Sequence, residues 1–298
     1  MFEEQRDFAF SAYKEARRFL CEHSDILIEL EHFMATTMFA LLDSAREEII
    51  RDYNEASRLY PFWQNYPPDD RGRQPVGDQY PWIEVGEHAI GAKLPRLLAQ
   101  KFVIYDYGIP VGPDEHFVLQ SEDIRSLTEG WTDSLWLFSD IKSVGPRDDA
   151  MHAVMSHNQI TGSGKWNRKS DGIKNDVMIA KGQRAQHDFH CSIPPIYILS
   201  DGRVVPVINV VVKPLYAMIS PDNPQGGGQP LSKITLATIP NGLLLEEGPR
   251  YLQQYPSLLF PGKDDKGMNP LKLRARVDFE ILKEIADWRI QVLNMSGE

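Results

Sequence analysis

Residues 135–142 read Leu-Trp-Leu-Phe-Ser-Asp-Ile-Lys, an apolar run that ends in two charged side chains. The run is short and rich in large apolar and aromatic residues, which predicts a buried strand. Side chains two residues apart on a strand point to the same face, so we expect the carboxylate of Asp140 and the ammonium of Lys142 to emerge side by side. A strand of this kind is typical of the sheet in an α/β fold.

A second acidic group precedes this strand at residues 112–115, which read Gly-Pro-Asp-Glu. Asp114 lies 26 residues before Asp140, a separation that suits a hairpin returning to the same place. Two carboxylates and a lysine that converge there predict a Mg²⁺ site of the kind used for phosphodiester hydrolysis, in which Lys142 orients or deprotonates a water. A structural ion pair at the end of a strand is the alternative that these residues leave open.

Two further acids lie upstream in the sequence Trp-Ile-Glu-Val-Gly-Glu at residues 82–87. Glu84 and Glu87 are three residues apart and share one face if the segment is helical. Such a face would add a carboxylate to the site of Asp140. Two solvated surface glutamates are the alternative, and the sequence alone favours that alternative.

Basic residues gather between Lys263 and Arg276, where five Lys or Arg stand against two Asp. Arg274 and Arg276 alternate along an expected strand, so both guanidinium groups reach one side. Arginines spaced in this way can each bind a guanine with two hydrogen bonds, and an acid nearby can accept from a cytosine amino group. The alternative is an exposed ladder of ion pairs between two strands.

The rest of the pattern predicts helices first and strands later. Apolar residues recur at three- and four-residue spacing before residue 60, which indicates helices, and a weaker helix is expected at about 82–100. The Asp201-Gly202 turn is expected to join two strands into a hairpin. The expected strands are 102–105, 117–119, 135–138, 196–199, 204–212, 231–239 and 273–282, followed by a short helix or strand.

We expect one α/β domain over residues 1–298, with a single mixed sheet flanked by helices, because no linker separates two units and no repeat is visible. Two stretches rich in proline or glycine, 60–81 and 221–230, are expected to be loops. The expected parts of the domain are N-terminal helices at about 1–60, a catalytic core at about 80–215 and DNA-reading strands at about 230–290.

The composition is that of an ordinary folded protein with an acidic balance. The formal net charge of −10 argues against a protein that coats nucleic acid through charge alone. Basic residues are nevertheless concentrated in two stretches, 142–184 and 263–276, as a DNA enzyme with one cationic cleft would require. Two cysteines exclude a four-cysteine zinc site.

The chain shows no signal of export or of a membrane partner. Its opening residues are acidic rather than basic, and no apolar run reaches the ~18 residues that a spanning helix needs. The cytoplasm is therefore the expected location.

Two other motifs are set aside. His187, His190 and Cys191 could bind zinc, but no second group of ligands accompanies them, and a loop histidine pair is favoured. Residues 161–165 lack the pattern of a phosphate-binding loop. We therefore expect no nucleotide cofactor, although a loop that touches the DNA backbone stays possible.

Several long stretches together resemble the type II restriction endonucleases of the BglI family, within the PD-(D/E)XK nuclease superfamily. The resemblance covers roughly residues 45–280 and is looser in the N-terminal helices. It is carried by PFWQNYPP (61–68), GDQYPWIEVGE (77–87), GPDE (112–115), DIKSVGPRD (140–148), IPPIYILSDG (193–202) and PGKDD (261–265).

The resemblance implies a PD-(D/E)XK core and a defined activity. The family member cuts double-stranded DNA at the interrupted palindrome GCCNNNNNGGC as a Mg²⁺-dependent homodimer and leaves 5′-phosphate ends. By the same implication Mn²⁺ substitutes for Mg²⁺, Ca²⁺ supports binding without cleavage, and the protein belongs to the bacterial cytoplasm.

Matching the motifs position by position implies a role for individual residues. Asp114 and Asp140 correspond to the metal-binding carboxylates, with the carbonyl of Ile141 as a further ligand. Lys142 corresponds to the catalytic lysine and Glu87 to an accessory acid. The residues that correspond to those reading a GCC half-site in the major groove are Asp148, Lys263, Asp265, Arg274 and Arg276. The chain departs from the family at residues 226–228 and 266–270, which bears on the spacer and on backbone contacts.

Three other functions agree with part of the sequence. A structure-specific repair nuclease on the same core would not need arginines that read G·C pairs. A catalytically inactive DNA-binding module would gain nothing from acids placed beside phosphate. A glycosidase with two carboxylates would not need the paired Lys142. The combined pattern favours the site-specific endonuclease.

Overall fold

The computed structural model describes residues 2–58, 86–108, 112–144, 150–163, 165–167, 172–174, 177–181, 186–191, 193–216, 231–261 and 274–295. Its α-helices are α1 (Phe2–Glu22), α2 (Ser24–Ser44), α3 (Arg46–Arg58), α4 (Leu94–Leu98), α5 (Glu122–Leu127), α6 (Gly242–Glu246), α7 (Tyr251–Gln254) and α8 (Phe279–Ile285). A π-helix spans Glu87–Gly91 and a 3-10 helix spans Asp287–Arg289.

The strands follow the order of the chain. They are β1 (Val103–Tyr105), β2 (Glu115–Gln120), β3 (Ser134–Ile141), β4 (His152–Ser156), β5 (Lys165–Asn167), β6 (Gly172–Lys174), β7 (Val177–Lys181), β8 (Gln186–His190), β9 (Ile196–Ile198), β10 (Val204–Tyr216), β11 (Leu231–Ile239), β12 (Leu259–Pro261), β13 (Arg274–Asp278) and β14 (Ile290–Asn294).

The N-terminal helices form because apolar residues recur on one side of each. In α2, the side chains of Ile26, Leu27, Leu30, Met34 and Met38 are buried, which is the three- and four-residue spacing of an apolar helix face. Acidic residues occupy the first turns of α1 and α3, where they oppose the positive end of the helix dipole. The expectation of N-terminal helices is confirmed.

A mixed sheet of seven strands runs through the protein. Its order is β1-β2-β3-β10-β11-β14, with β9 paired to the start of β10. The pair β3 and β10 is parallel, and the other pairs are antiparallel. Every residue of β3 is buried, as in a central strand covered on both faces. The predicted mixed sheet flanked by helices is confirmed.

Alternation along the strands gives this sheet two different faces. On one face, Leu137 and Ile208 pack with the N-terminal helices in the largest apolar cluster. On the other face, Trp136, Phe138 and Val207 form a second cluster. Asp140 continues the row of Trp136 and Phe138, so its side chain belongs to this second face.

A smaller sheet, β12-β13-β4, carries the arginine-rich strand. The expected strand at 273–282 is wrong beyond residue 278, because α8 begins there. The side chain of Asp278 accepts hydrogen bonds from the N–H groups of Glu280 and Ile281, at 2.9 and 3.2 Å. This is the geometry of a helix N-cap, and it ends the strand.

The helix expected at about 82–100 is interrupted in its described part. The π-helix is followed by a turn, and α4 begins only at Leu94, with Pro95 in its first turn. Proline lacks an N–H and therefore suits the start of a helix rather than its interior. Residues 82–85, including Glu84, lie outside the described residues.

Most other expected elements are found. The predicted strands before residue 240 lie within or overlap β1, β2, β3, β9, β10 and β11, and the short helix or strand expected after residue 282 is found as β14. Gly202 has φ 86° at the predicted hairpin turn between β9 and β10. The loops expected at 60–81 and 221–230 lie outside the described residues. None of the described helices is both long and apolar enough to cross a bilayer.

Candidate active site

The C-terminal end of β3 presents an acid and a base side by side. The Oδ2 atom of Asp140 lies 2.6 Å from Nζ of Lys142. Asp140 is only 2% exposed, whereas the Lys142 side chain is 28% exposed. The carboxylate is therefore covered by protein while the ammonium reaches the solvent, which lets Lys142 approach a substrate from outside.

Asp114 joins this pair through the backbone of β3. Its Oδ2 accepts a 2.7 Å hydrogen bond from the N–H of Ile141. The antiparallel pairing of β2 and β3 ends with Glu115 facing Ser139, so Asp114 and Asp140 are the next residues beyond that pair. The carboxylate of Asp114 therefore lies beside the backbone that links Asp140 to Lys142.

The carbonyl of Ile141 points toward the same place. In a strand, the N–H and C=O of one residue point to the same side, and the N–H of Ile141 is directed at Asp114. The ladder between β2 and β3 ends at Glu115 and Ser139, before Ile141 is reached. The arrangement fits the ligand role expected of Ile141.

Gln159 is part of this site although the sequence patterns did not indicate it. Its Nε2 donates a hydrogen bond to Oδ1 of Asp140. Its own Oε1 accepts a 2.9 Å bond from the N–H of Ser156, the last residue of β4. A single glutamine in a turn has no spacing signal, so only the packing of the two sheets reveals it.

Glu87 is the first residue of the π-helix. Gly86, the residue before it, packs against Ser143, which follows β3. A Cβ on Gly86 would lie 1.8 Å from Oγ of Ser143 and 2.9 Å from the hydroxyl of Tyr53. The close approach therefore requires glycine. Burial raises the pKa of the Tyr53 hydroxyl, so this group stays protonated. The side chain of Glu87 itself lies outside the described part of the structure.

Glu115 is a further acid for which the sequence patterns predicted no role. It lies on the opposite face of β2 from Asp114. A Cβ on Gly91 would be 2.6 Å from its Oε1. Burial, and then the negative charges of Asp114 and Asp106, raise the pKa of Glu115. The π-helix therefore reaches β3 only because Gly91 leaves room for this carboxyl group.

The strand β13 carries two of the residues expected to read bases. Arg274 is exposed and Arg276 is half-buried, while Ala275 and Val277 are buried on the other side. Both arginines thus share the open face, as their spacing predicts. The guanidinium carbon of Arg276 lies 5.9 Å from the ring centroid of Phe260, which is within the range of a cation–π contact.

The alternative of an ion-pair ladder finds little support on β4. The residues that face the two arginines there are Ser156 and Val154, and neither is acidic. One contact between an acid and a histidine does join the strands, between Asp278 and His152 at 3.4 Å. Within the described residues, neither arginine therefore faces an acid on β4.

The remaining expected residues divide into two groups. Asp148, Lys263 and Asp265 lie outside the described residues. His187 and His190, which the sequence suggested as a zinc motif, lie on β8, and their side chains are also outside the described residues. In residues 161–165, the segment compared above with a phosphate-binding loop, the buried Thr161 accepts a 2.8 Å hydrogen bond from the N–H of Gly242. This is a structural contact.

The donor atoms at the end of β3 are oxygens. Among the described residues, no three His, Cys, Asp or Glu side chains come together as a metal site. A cation here would take the carboxylates of Asp114 and Asp140 and the carbonyl of Ile141, with solvent completing its shell. Few carboxylates and several waters are what Mg²⁺ prefers, so the donor set fits this ion.

Comparison with known proteins gives consistent matches over the whole chain. Residues 8–293 match the family model described as restriction endonuclease BglI. The chain is 44% identical over 299 residues to the type II restriction enzyme BglI of Bacillus subtilis, and the match covers 99% of both proteins.

Two solved structures resemble the fold. The crystal structure of the restriction endonuclease BglI bound to its DNA recognition sequence matches with a TM-score of 0.90 at 43% identity and covers all of both chains. The tetrameric restriction endonuclease SfiI bound to cognate DNA matches with a TM-score of 0.59 at 16% identity, over 91% of this chain and 86% of the other. At that identity the second match shows a shared fold alone.

Proposed function

Because this chain belongs to the restriction endonuclease BglI family and is a type II restriction endonuclease, we propose that it cuts double-stranded DNA at GCCNNNNNGGC. The reaction is a Mg²⁺-dependent hydrolysis of one phosphodiester in each strand, which leaves a 5′ phosphate and a 3′ hydroxyl. The observation that carries this proposal is the meeting of Asp114, Asp140 and Lys142 at the end of β3.

The reaction assigns a task to each of these residues. Asp114, Asp140 and the carbonyl of Ile141 hold Mg²⁺, which when bound neutralises charge on the scissile phosphate. The ammonium of Lys142 is anchored to Asp140 at 2.6 Å and partly exposed, so it can orient the attacking water. The water oxygen bonds to phosphorus as the bond to the 3′ oxygen breaks; the attacking water gives up one proton to the solvent, and the leaving 3′ oxygen takes up one proton from the solvent.

Glu87 serves in this proposal as an accessory acid. Its support is the close approach of the preceding Gly86 to Ser143, only one residue beyond Lys142. Substitution of Glu87 by Gln should therefore weaken cleavage more than DNA binding.

Five residues are proposed to read each GCC half-site. Arg274 and Arg276 support this assignment because they share one open face of β13. Paired donors of this kind match the O6 and N7 acceptors of guanine. The other three members, which are acids or a lysine with the chemistry to contact cytosine or guanine edges, are Asp148, Lys263 and Asp265.

The palindromic site implies a homodimer of one-domain subunits, because a twofold assembly presents identical reading surfaces to two half-sites. Within each subunit, the proposed division is helices at about 1–60, a catalytic core at about 80–215 and reading strands at about 230–290. Mn²⁺ should replace Mg²⁺, and Ca²⁺ should support binding without cleavage. The bacterial cytoplasm is the proposed location.

A Mg²⁺ digest of a random-sequence DNA library, followed by sequencing of the ends, tests the proposal. Discrete ends flanked by GCC and GGC are expected, and their positions give the spacer and the stagger of the cut. Discrete ends at another motif would overturn the assignment of the five reading residues. Folded protein that cuts nothing in Mg²⁺ or Mn²⁺ would refute the proposed chemistry and favour an inactive DNA-binding module.

A further inference from the structure

We propose that Gln159 is a positioning residue that couples the DNA-reading sheet to the carboxylate of Asp140. The proposal rests on the nuclease function proposed above, and it adds the residue that transmits base recognition to the cleavage site. Gln159 lies in the turn after β4, and its side chain bridges β4 and the end of β3.

The Gln159 amide is held at both ends. Its Nε2 donates to Oδ1 of Asp140, and its Oε1 accepts from the N–H of Ser156 at 2.9 Å. Since an N–H can only donate and a carboxylate can only accept, the amide fits this place in a single orientation. The N–H of Gln159 also donates to the Ser156 carbonyl at 3.0 Å. The amide is therefore a fixed donor aimed at Asp140.

Strand β4 links this amide directly to the arginine strand. Ser156 faces Arg274 in the antiparallel register, and Val154 faces Arg276. Gln159 is thus hydrogen-bonded both to Ser156, the residue that faces Arg274, and to Asp140. When the arginines engage base edges and β13 shifts, β4 carries the amide of Gln159 with it.

The other end of β4 has a different connection to the central sheet. The Nζ of Lys213, on β10, donates to the carbonyl of His152 and lies 5.4 Å from the ring centroid of Phe279. This contact ends on the backbone carbonyl of His152, whose side chain lies 3.4 Å from Asp278. Strand β4 is therefore also anchored at His152, and the described hydrogen bond to Asp140 comes from Gln159 at the other end.

A neutral donor is chemically suited to this task. A carboxylate as deeply buried as Asp140 requires hydrogen-bond donors. Lys142 contacts Oδ2 and Gln159 contacts Oδ1. The rotation of a carboxylate about its Cβ–Cγ bond has only a broad intrinsic preference, so a second donor is what fixes its plane. The amide does this without a positive charge that would compete with a cation.

Gln159→Met tests the proposal because methionine keeps the length of the side chain and loses both hydrogen bonds. Residues that orient a metal ligand typically contribute about 10- to 100-fold in activity or metal affinity. We expect kcat on the cognate site to fall within that range while KM for DNA is unchanged. The Ca²⁺ concentration for half-maximal specific DNA binding should rise, and the preference for the cognate site over a site with one altered G·C pair should fall.

Two further variants distinguish the loss of the hydrogen bond to Asp140 from a general effect of replacing a glutamine. Gln159→Glu keeps an acceptor for Ser156 but has no donor for Asp140, so it should lose kcat as Gln159→Met does. Gln254→Met is the matched control, because this exposed amide donates to the Pro249 carbonyl on the surface. It should behave as wild type in all measurements.

The outcomes are distinct. Wild-type kcat and Ca²⁺ requirement in either Gln159 variant that is as stable as wild type would overturn the proposal. A lower kcat with an unchanged preference for the cognate site would overturn the coupling to base reading. If the wild-type protein itself does not cleave, the proposed function fails, and the Ca²⁺ dependence of DNA binding still decides the role of Gln159. Thermal unfolding of Gln159→Met and Gln159→Glu shows which of these variants is as stable as the wild-type protein and can be compared with it.

Discussion

The carboxylate of Glu31 and the guanidinium of Arg289 form a 2.8 Å ion pair in which neither side chain is exposed to solvent. The second carboxylate oxygen accepts a 2.6 Å bond from the N–H of Asn241. The side chain of Asn241 in turn donates to the carbonyls of Pro195 and Val207. This buried network connects α2 with the central sheet and with the segment that precedes β14.

Glu31→Gln should lower the free energy of unfolding by about 3–5 kcal/mol, because Arg289 would remain as a buried charge without its counterion. Urea denaturation measures the change. Asp43→Asn is the control, since it removes the exposed 2.6 Å pair of Asp43 and Arg46 and should cost less than about 1 kcal/mol. Equal losses in the two variants would contradict the importance of burial.

Asp133 gives the stability of the fold a defined pH dependence. Burial opposes its ionisation, but hydrogen bonds from Ser134, Gln120 and Arg125 outweigh burial and lower the pKa of Asp133. A lowered pKa in the folded state stabilises the fold above the unfolded value of about 3.9, and this contribution is lost as the pH falls through the folded pKa.

Asp133→Asn should therefore destabilise the protein by about 1–2 kcal/mol at neutral pH. The difference from wild type should shrink as the pH falls below about 4, because the Asp133 carboxylate then gains a proton first in the unfolded chain and, at lower pH, in the folded protein. Urea unfolding curves over this range of pH measure both quantities. A difference that stays constant down to about pH 3 would refute the role of the charge.

Asp140→Asn should lower the rate of cleavage at least about 100-fold, because the amide keeps the shape of the carboxylate but cannot bind Mg²⁺ as strongly. Specific binding measured in Ca²⁺ should remain detectable, since β13 is untouched. Cleavage and binding assays on the same cognate duplex separate the two effects. Strong cleavage by this variant in Mg²⁺ would show that Asp140 is not a ligand.

Arg276→Ala should cost about 1–3 kcal/mol of discrimination at one G·C pair. Binding to a set of sites, each with one altered base pair, locates that position. Arg96→Ala serves as the control, because this exposed arginine pairs with Glu48 far along the chain from the reading strands. An equal loss on every sequence would assign Arg276 to the phosphate backbone instead.

Gly86→Ala should destabilise the protein by about 1–3 kcal/mol, the usual cost of excess volume at a packed position, and should lower kcat by displacing the start of the π-helix. The new methyl group would overlap Ser143. Gly108→Ala is the matched control, because no atom lies within 4 Å of the place that its methyl group would take. Thermal unfolding and cleavage rates should change only in the first variant.

The strand that carries Asp140 and leads into Lys142 could be predicted from the sequence because its signals are local. A short apolar run indicates the strand, and the two-residue period places both side chains on one face. The bond from Gln159 to Asp140 could not be predicted, because it exists only where the turn after β4 packs over β3. Sequence spacing carries no information on how two separate sheets pack together.

The end of β13 shows a second reason why sequence patterns fall short. Residues 273–282 alternate well enough to resemble one strand, yet the Asp278 side chain binds two backbone N–H groups and starts a helix. Aspartate suits a turn, a cap or a strand end, and its surroundings decide among them. Arg274 and Arg276, which we propose to read bases, precede this change, so their shared face was predictable.

The pair formed by Glu31 and Arg289 also sets an order of events during synthesis of the chain. The two residues are 258 positions apart, so at a translation rate of about 5–20 residues per second roughly 10–50 s pass between their appearances. Throughout this interval, α2 carries an acid whose partner has not yet been made. The N-terminal helices can therefore complete this ion pair only after the segment that contains Arg289 has left the ribosome.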